Sequence, residues 1–192
     1  MKLRTLLLDL GGVFYQGDHL IPGALEALAR LRASGLALRF VTNTTRQSRA
    51  ALQGELAGRG IAIAEDELLT PAAAARDTLL ARRLRPLLLI HPDLAPDFAG
   101  LDTAEPNAVV VGDAGEHFSY TGLNQAFRLL QAGAPLLALG RNRYFQERQP
   151  ELVARAGEKS LARAFSTPPR PPGAAEDLWA RELRPYLGDP FR

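Results

Sequence analysis

The sequence of 192 residues holds no cysteine, which removes disulfides, thiolate zinc sites and thiol nucleophiles from consideration. No apolar run approaches the roughly 20 residues that a membrane-spanning helix needs, so no membrane partner is expected. Lysine is nearly missing: of 23 basic side chains only Lys2 and Lys159 are lysine. The arginine bias, with abundant Ala, Leu, Gly and Pro, has the look of GC-rich coding. The formal net charge is only +2, and no basic run is interleaved with aromatics, so no nucleic-acid partner is expected either.

What is present is ordinary for a globular chain. Hydrophobic residues make up 46% and charged residues 23%, enough for one α/β domain with a core, or a small core domain carrying an insertion. The N-terminus opens like a signal peptide, but Asp9 interrupts its short apolar run before any cleavage site. A buried first strand is the better reading, and the cytoplasm is the default compartment.

Apolar spacing then alternates in kind along the chain. Residues 3–8 read as a buried strand that stops at glycines. "PGALEALARLRASG" places Leu25, Leu28 and Leu31 at helical spacing, with Pro22 near the start and Gly35 just past the end. Residues 36–42 read as a strand, 48–60 as a helix, 71–84 as a helix, 85–91 as a strand, 108–113 as a strand, 121–133 as a helix and 135–140 as a strand. Such alternation predicts right-handed crossovers and a parallel sheet.

The chemistry concentrates where the first two strands end. Asp9 closes the first one, and in open α/β sheets ligands bind beyond the carboxyl ends of the strands. A carboxylate there can attack phosphorus, forming an aspartyl-phosphate, and can also bind Mg²⁺. Gly11 and Gly12 allow a sharp turn that brings main-chain groups close to a small anion or metal. The bland alternative is an acid that caps a tight turn. The second strand ends in "VTNTT", where Thr42 and Asn43 offer a hydroxyl, an amide and main-chain N–H groups to phosphoryl oxygens. They also suit the cap of the following helix, and the two roles are compatible. A receiver-type phosphoacceptor domain would also place an Asp at a strand end, but clustered acids near Asp9 and a lysine at a later strand end are not seen.

The stretch "LLLDLGGVFYQGDHLIPGALEALARLRASGLALRFVTNTTRQSRAAL" resembles the first two motifs of the haloacid dehalogenase (HAD) superfamily of hydrolases, in the branch whose mobile cap is inserted after the second motif. The likeness continues through "RPLLLIH", "NAVVVGDAGEHFSYTGLNQAFRLL" and "LLALGRNRYFQE", covering about residues 3–147. It implies a partial Rossmannoid core with a parallel sheet at residues 1–72 and an inserted α/β cap at residues 73–147, the C-terminal core strands being absent. It also implies that Asp9 is the nucleophile and a Mg²⁺ ligand, that the Gly11 carbonyl faces the metal, and that Thr42 and Asn43 hold the phosphoryl group. The implied activity is Mg²⁺-dependent hydrolysis of a phosphate ester, phosphoramidate or pyrophosphate, with a small phosphorylated compound or phosphoamino acid as substrate.

The chain departs from the family pattern at three points. Gly11 stands where most members carry a second Asp, the general acid and base. A lysine after the cap and a "GDD"-like acidic pair are not found in a suitable setting. Asp113 in "VVVGDAGEHFSY" is read as a loop cap and His117 as a loop residue. Lys159 reads as lying on an exposed helix face, and Asp189 is given no role. A catalytically silent binding protein that keeps a fragment of the fold is the alternative.

Past residue 147 the character changes. Residues 148–192 are rich in Pro, Arg and Ala, show only weak helical periodicity at "PELVARAGEKSLARAF" and "AAEDLWARELRPYL", and include "STPPRPPG", which admits no regular structure except polyproline. The expectation is that this tail is out of frame or otherwise unrelated to the family. Without further core strands, the strand ending at Asp9 would be an open edge that invites self-association as a homo-oligomer.

Overall fold

The computed structural model describes residues 4–140, 144–146 and 152–154. Within them the chain is α/β, built on two three-stranded parallel sheets.

The first sheet begins with β1 (Thr5–Asp9), which ends at Asp9 and alternates between exposed and half-buried residues; the expected burial of this strand is thus corrected, because among the described residues only β4 pairs with it. A two-residue hairpin follows, β2 (Tyr15–Gln16) and β3 (His19–Leu20), paired antiparallel. Helix α1 (Ala24–Ala33) starts after Gly23, which sits at φ +80° where a side chain would be strained. Its start therefore lies two residues beyond Pro22. Strand β4 (Ala37–Val41), helix α2 (Arg49–Gly58) and the short β5 (Leu68–Leu69) complete this half. The sheet order is β1-β4-β5. Alternation along β4 buries Leu38 and Phe40, which share one cluster with Leu28 of α1 and Leu52 and Leu56 of α2. Phe40 is fully buried, and truncating it to Ala would cost about 3–5 kcal/mol.

The second half opens with α3 (Pro71–Ala81), with Pro71 in its first turn and the Thr70 hydroxyl accepting from the Ala73 amide. It ends three residues before the predicted limit. Arg82 is the C-cap and Arg83 adopts φ +53°, so the chain leaves the helix through a left-handed residue other than glycine. Strands β6 (Pro86–Leu89) and β7 (Ala108–Val111), helix α4 (Tyr120–Gln131) and β8 (Leu136–Ala138) follow. The sheet runs β6-β7-β8, all parallel. All four residues of β7 are buried, as a central parallel strand covered on both faces requires. Val110 packs with Leu79 of α3 and with Leu94 and Phe98 of a 3₁₀ segment (Pro92–Phe98), while Val109 and Val111 pack with Ala126 of α4.

Two further short strands, β9 (Tyr144–Gln146) and β10 (Leu152–Ala154), pair antiparallel. The helical periodicity read at the start of "PELVARAGEKSLARAF" is thus corrected at residues 152–154, where pairing with a strand a few residues upstream prevails over weak local preference. Lys159, Asp189 and the Pro-rich cluster lie outside the described residues. No helix among the described residues is long and apolar enough to cross a membrane.

Candidate active site at the carboxyl edge of the first sheet

Parallel pairing of β1 with β4 sets Asp9 level with Val41, so Thr42 lies one residue beyond that level and not directly beside Asp9. Both reach the carboxyl edge, where parallel sheets bind ligands. Asp9, Gly11 and Asn43 are exposed, whereas Thr42 is buried. One carboxylate oxygen of Asp9 accepts from the Leu10 amide at 2.8 Å, which fixes the side chain over the start of the turn. The Thr42 hydroxyl accepts from the Thr44 amide at 3.2 Å, and a hydroxyl that accepts keeps a proton to donate. The Thr42 amide donates to the Leu69 carbonyl at 3.2 Å, so β5 steadies the loop from the other side.

The turn after Asp9 is tightly wound. The Phe14 amide donates to the Leu10 carbonyl at 3.0 Å, and the Gly12 amide donates to the Tyr15 carbonyl at 2.7 Å. Gly12 takes φ +79°, which only glycine accepts without strain. Gly11 is different: its φ is not positive, and a Cβ there would meet nothing within 4 Å. Burial pushes the Tyr15 phenol above its ordinary range. The Glu55 carboxylate adds to this, the Arg59 charge opposes it, and the Asp9 charge adds a smaller push upward.

Three side chains that the sequence did not single out organise the surroundings. The Arg59 guanidinium lies over the Tyr15 ring at 4.6 Å and donates to the Gly17 carbonyl at 2.8 Å and to Glu55 at 2.7 Å. Asp97, on the 3₁₀ segment of the second half, accepts from the Arg49 amide with both oxygens at 3.0 Å. Burial raises its carboxyl pKa, against the pull of the Arg49 amide and the Arg49 and Arg76 charges. Arg46, in the loop after Asn43, forms an ion pair with Asp113 at 3.3 Å. Asp113 also caps its own loop, accepting from the Gly115 amide at 3.2 Å, as its sequence context had led one to expect. His117 lies in a short 3₁₀ turn, its ring edge-on to His91 at 5.8 Å. Contacts such as Asp97 to Arg49 span 48 residues, and nothing local in the sequence signals them. The β2–β3 hairpin did carry a signal, Gly17-Asp18 between short apolar-bearing pairs.

A family model described as haloacid dehalogenase-like hydrolase matches residues 6–103, which takes in Asp9, Gly11, Thr42 and Asn43. The chain is 47% identical over 146 residues to haloacid dehalogenase-like hydrolase domain-containing protein 2 of Homo sapiens, covering 76% of this chain and 56% of that protein. It is 45% identical over 151 residues to the human phospholysine phosphohistidine inorganic pyrophosphate phosphatase, with the same coverages. The chain thus spans a little over half the length of the curated relatives it matches. Among solved structures, a 4-nitrophenylphosphatase from Thermotoga maritima superposes with a TM-score of 0.75 at 24% identity, over 94% of this chain and 74% of that one; that likeness speaks for the fold. On its sequence and its fold together, the chain belongs to the haloacid dehalogenase-like hydrolases.

Proposed function

We propose that this chain carries the nucleophile and phosphate-binding edge of a Mg²⁺-dependent phosphohydrolase, with Asp9 as nucleophile and Thr42 and Asn43 as phosphoryl ligands. The observation that carries the reading is an exposed carboxylate ending β1, in register beside the residue that precedes Thr42. In this reading residues 1–72 form the core part and residues 73–147 the cap, which closes to shed water from the site.

The residues at this edge fit a magnesium ion in a modest way. Mg²⁺ keeps several waters and commonly takes one or two carboxylates plus substrate phosphate oxygens. Asp9 offers one oxygen beyond the one bonded to Leu10, and the Gly11 carbonyl is the adjacent main-chain donor. Among the described residues no group of three or more acidic or histidine side chains could hold a metal, so the set is one carboxylate and one carbonyl. Bound there, the ion would neutralise charge on the phosphoryl oxygens.

An Asp9 oxygen attacks phosphorus and the bond to the leaving group breaks, the departing atom keeping the electron pair. Thr42 Oγ donates its proton toward a phosphoryl oxygen, and the Asn43 amide can do the same. Water then attacks phosphorus, the bond to Asp9 breaks, and carboxylate and inorganic phosphate are released with a proton passing to solvent. Gly11 supplies no acid, so the leaving group departs as a stable anion or takes its proton from water. That favours pyrophosphate and aryl phosphate, whose leaving groups are stable anions, and phosphoramidates whose nitrogen is already protonated and leaves as the neutral amine, over simple alkyl esters. The name of the 45% identical phosphatase points to the same P–N and P–O–P linkages. The cysteine-free composition suits the reducing cytoplasm, where we place the reaction. The test is hydrolysis of an aryl phosphate with Mg²⁺ by wild type and Asp9→Asn: loss in the variant supports the reading, equal rates remove Asp9 from it.

A second reading, a silent interaction protein, draws on the β1 edge. Among the described residues β1 pairs only with β4, and Leu7 on it is 44% exposed. Such an edge invites a further strand. A defined oligomer that dissociates in Leu7→Lys, with no Mg²⁺-dependent hydrolysis in wild type, would favour this reading.

A further inference from the structure

We propose that Arg59 is a positioning residue for the Asp9 turn: it clamps the β2–β3 hairpin onto the end of α2, and the hairpin in turn fixes the Gly11–Gly12 backbone. The proposal rests on the reading of Asp9 as nucleophile, but its structural part can be tested alone.

A hairpin with two residues per strand cannot hold its own shape in water, and the turn before it contains two glycines, the most permissive residues. Leu10 and Phe14 are buried and anchor the two ends of the turn in the core, but the glycines between them and the exposed hairpin beyond take a further constraint from outside the turn. Arg59 supplies that constraint. Its side chain is only 14% exposed. It covers the Tyr15 ring at 4.6 Å, donates to the Gly17 carbonyl at 2.8 Å at the hairpin tip, and forms an ion pair with Asp18 at 3.4 Å. The guanidinium is itself held by Glu55 one turn earlier on α2, at 2.7 Å, and its main chain closes that helix.

The constraint passes on through Tyr15. Its carbonyl takes the Gly12 amide at 2.7 Å, a bond that belongs to the bridge pairing Gly11 with Tyr15. From Gly11 the chain reaches Asp9 in two residues. A planar fork that stacks and donates in several directions is needed at this place, and lysine could supply only a point charge. The proposal assigns to Arg59 no contact with substrate; it acts through Tyr15 and the glycines.

The experiment compares Arg59→Ala, Arg59→Lys, Tyr15→Ala and the double variant Arg59→Ala/Tyr15→Ala in the full chain, by amide hydrogen exchange and by aryl phosphate kinetics. The expected result in Arg59→Ala is exchange at the Gly12 amide faster by about tenfold or more, with the Phe40 amide unchanged. A fall in kcat of about tenfold with KM altered by less than about threefold is expected alongside. Tyr15→Ala should match it, the double variant should be no worse than either single one, and Arg59→Lys should recover part of kcat. Unchanged Gly12 exchange in Arg59→Ala, or additive losses in the double variant, would overturn the proposal. If Asp9→Asn hydrolyses like wild type while Gly12 exchange still rises in Arg59→Ala, the nucleophile reading fails and the clamp stands.

Discussion

Asp97 holds the main-chain amide of Arg49 with both carboxylate oxygens at 3.0 Å, so an acid from the second half of the chain closes the first turn of a helix in the first half. Ser48 already serves as that helix's N-cap, accepting from the Ala51 amide. Asp97 satisfies a second of the amides that a helix start leaves without an intrahelical partner.

This relationship can be removed one atom at a time. Ser48 is extended at φ −68° and ψ 157°, a conformation that suits a residue before proline, and the first helical position suits proline itself. Arg49→Pro therefore deletes the amide that Asp97 grips while leaving α2 able to form. Arg49→Ala keeps the amide and loses only the guanidinium, which pairs with Glu65. Urea unfolding should show Arg49→Pro less stable than Arg49→Ala by about 1–2 kcal/mol, because a half-buried carboxylate is left without its donor.

Asp97 also makes a prediction about pH. Its carboxyl lies above its ordinary value of 3.8, chiefly through burial. A raised carboxyl contributes stability that is fully present below the ordinary value and lost as pH rises through the folded one. Asp97→Asn cannot titrate, so its urea midpoint should fall less than that of wild type as pH is raised through that range. An identical fall in both proteins would contradict the assignment.

Glu67 should behave in the opposite sense. Arg32 donates two hydrogen bonds to its carboxylate at 2.8 Å, and the Ala64 amide adds a third at 3.0 Å. Together, with Arg32 foremost, they hold its pKa down to about 2, below the ordinary 4.5. The contribution is present above the ordinary value and fades as pH falls from there toward about 2. Arg32 is 38% exposed, so water screens the pair and its worth is about 1 kcal/mol or less. In acid titrations followed by circular dichroism, Glu67→Gln should lose less stability than wild type over that window.

Gly11 and Gly12 should respond differently to substitution. Open space around a Cβ at Gly11 lets Gly11→Asp fold with a stability change within about 0.5 kcal/mol. Gly12→Ala, at φ +79°, should cost about 1–2 kcal/mol. With no acid at position 11, wild-type rates should fall steeply as the leaving group becomes more basic. Gly11→Asp should flatten that dependence and raise alkyl phosphate turnover by about tenfold or more. A slope unchanged by the aspartate would mean that position 11 does not face the leaving group.

Much of the fold was legible because its signals are local. Leu25, Leu28 and Leu31 mark α1, and Ser48, Thr70 and Ser119 each accept the amide that their places before α2, α3 and α4 call for. The run of Val109, Val110 and Val111 marked a strand, read as residues 108–113 and found as Ala108–Val111. What escaped was either short or distant. Leu68 and Leu69 form a strand only because β4 is there to pair with them, and two residues carry no periodicity. Pro92–Phe98 winds as a 3₁₀ segment around two prolines that argue against a helix. At the candidate site, Asp9 was readable as a strand end and Thr42 and Asn43 as lying at the end of the next strand, which stops at Val41 just before them. Arg59 was not, since its partners Tyr15 and Gly17 lie more than 40 residues away and an arginine at a helix end has many ordinary uses.

The central claim is that Asp9 takes the phosphoryl group covalently, and trapping that adduct tests it most directly. Wild type is mixed with an aryl phosphate and Mg²⁺, quenched in acid within the first turnover, digested and examined by mass spectrometry. A phosphoryl group on the peptide containing Asp9, labile to hydroxylamine and lost in Asp9→Asn, is the predicted result. Turnover by wild type with no adduct on that peptide, or an adduct that persists in Asp9→Asn, would contradict it.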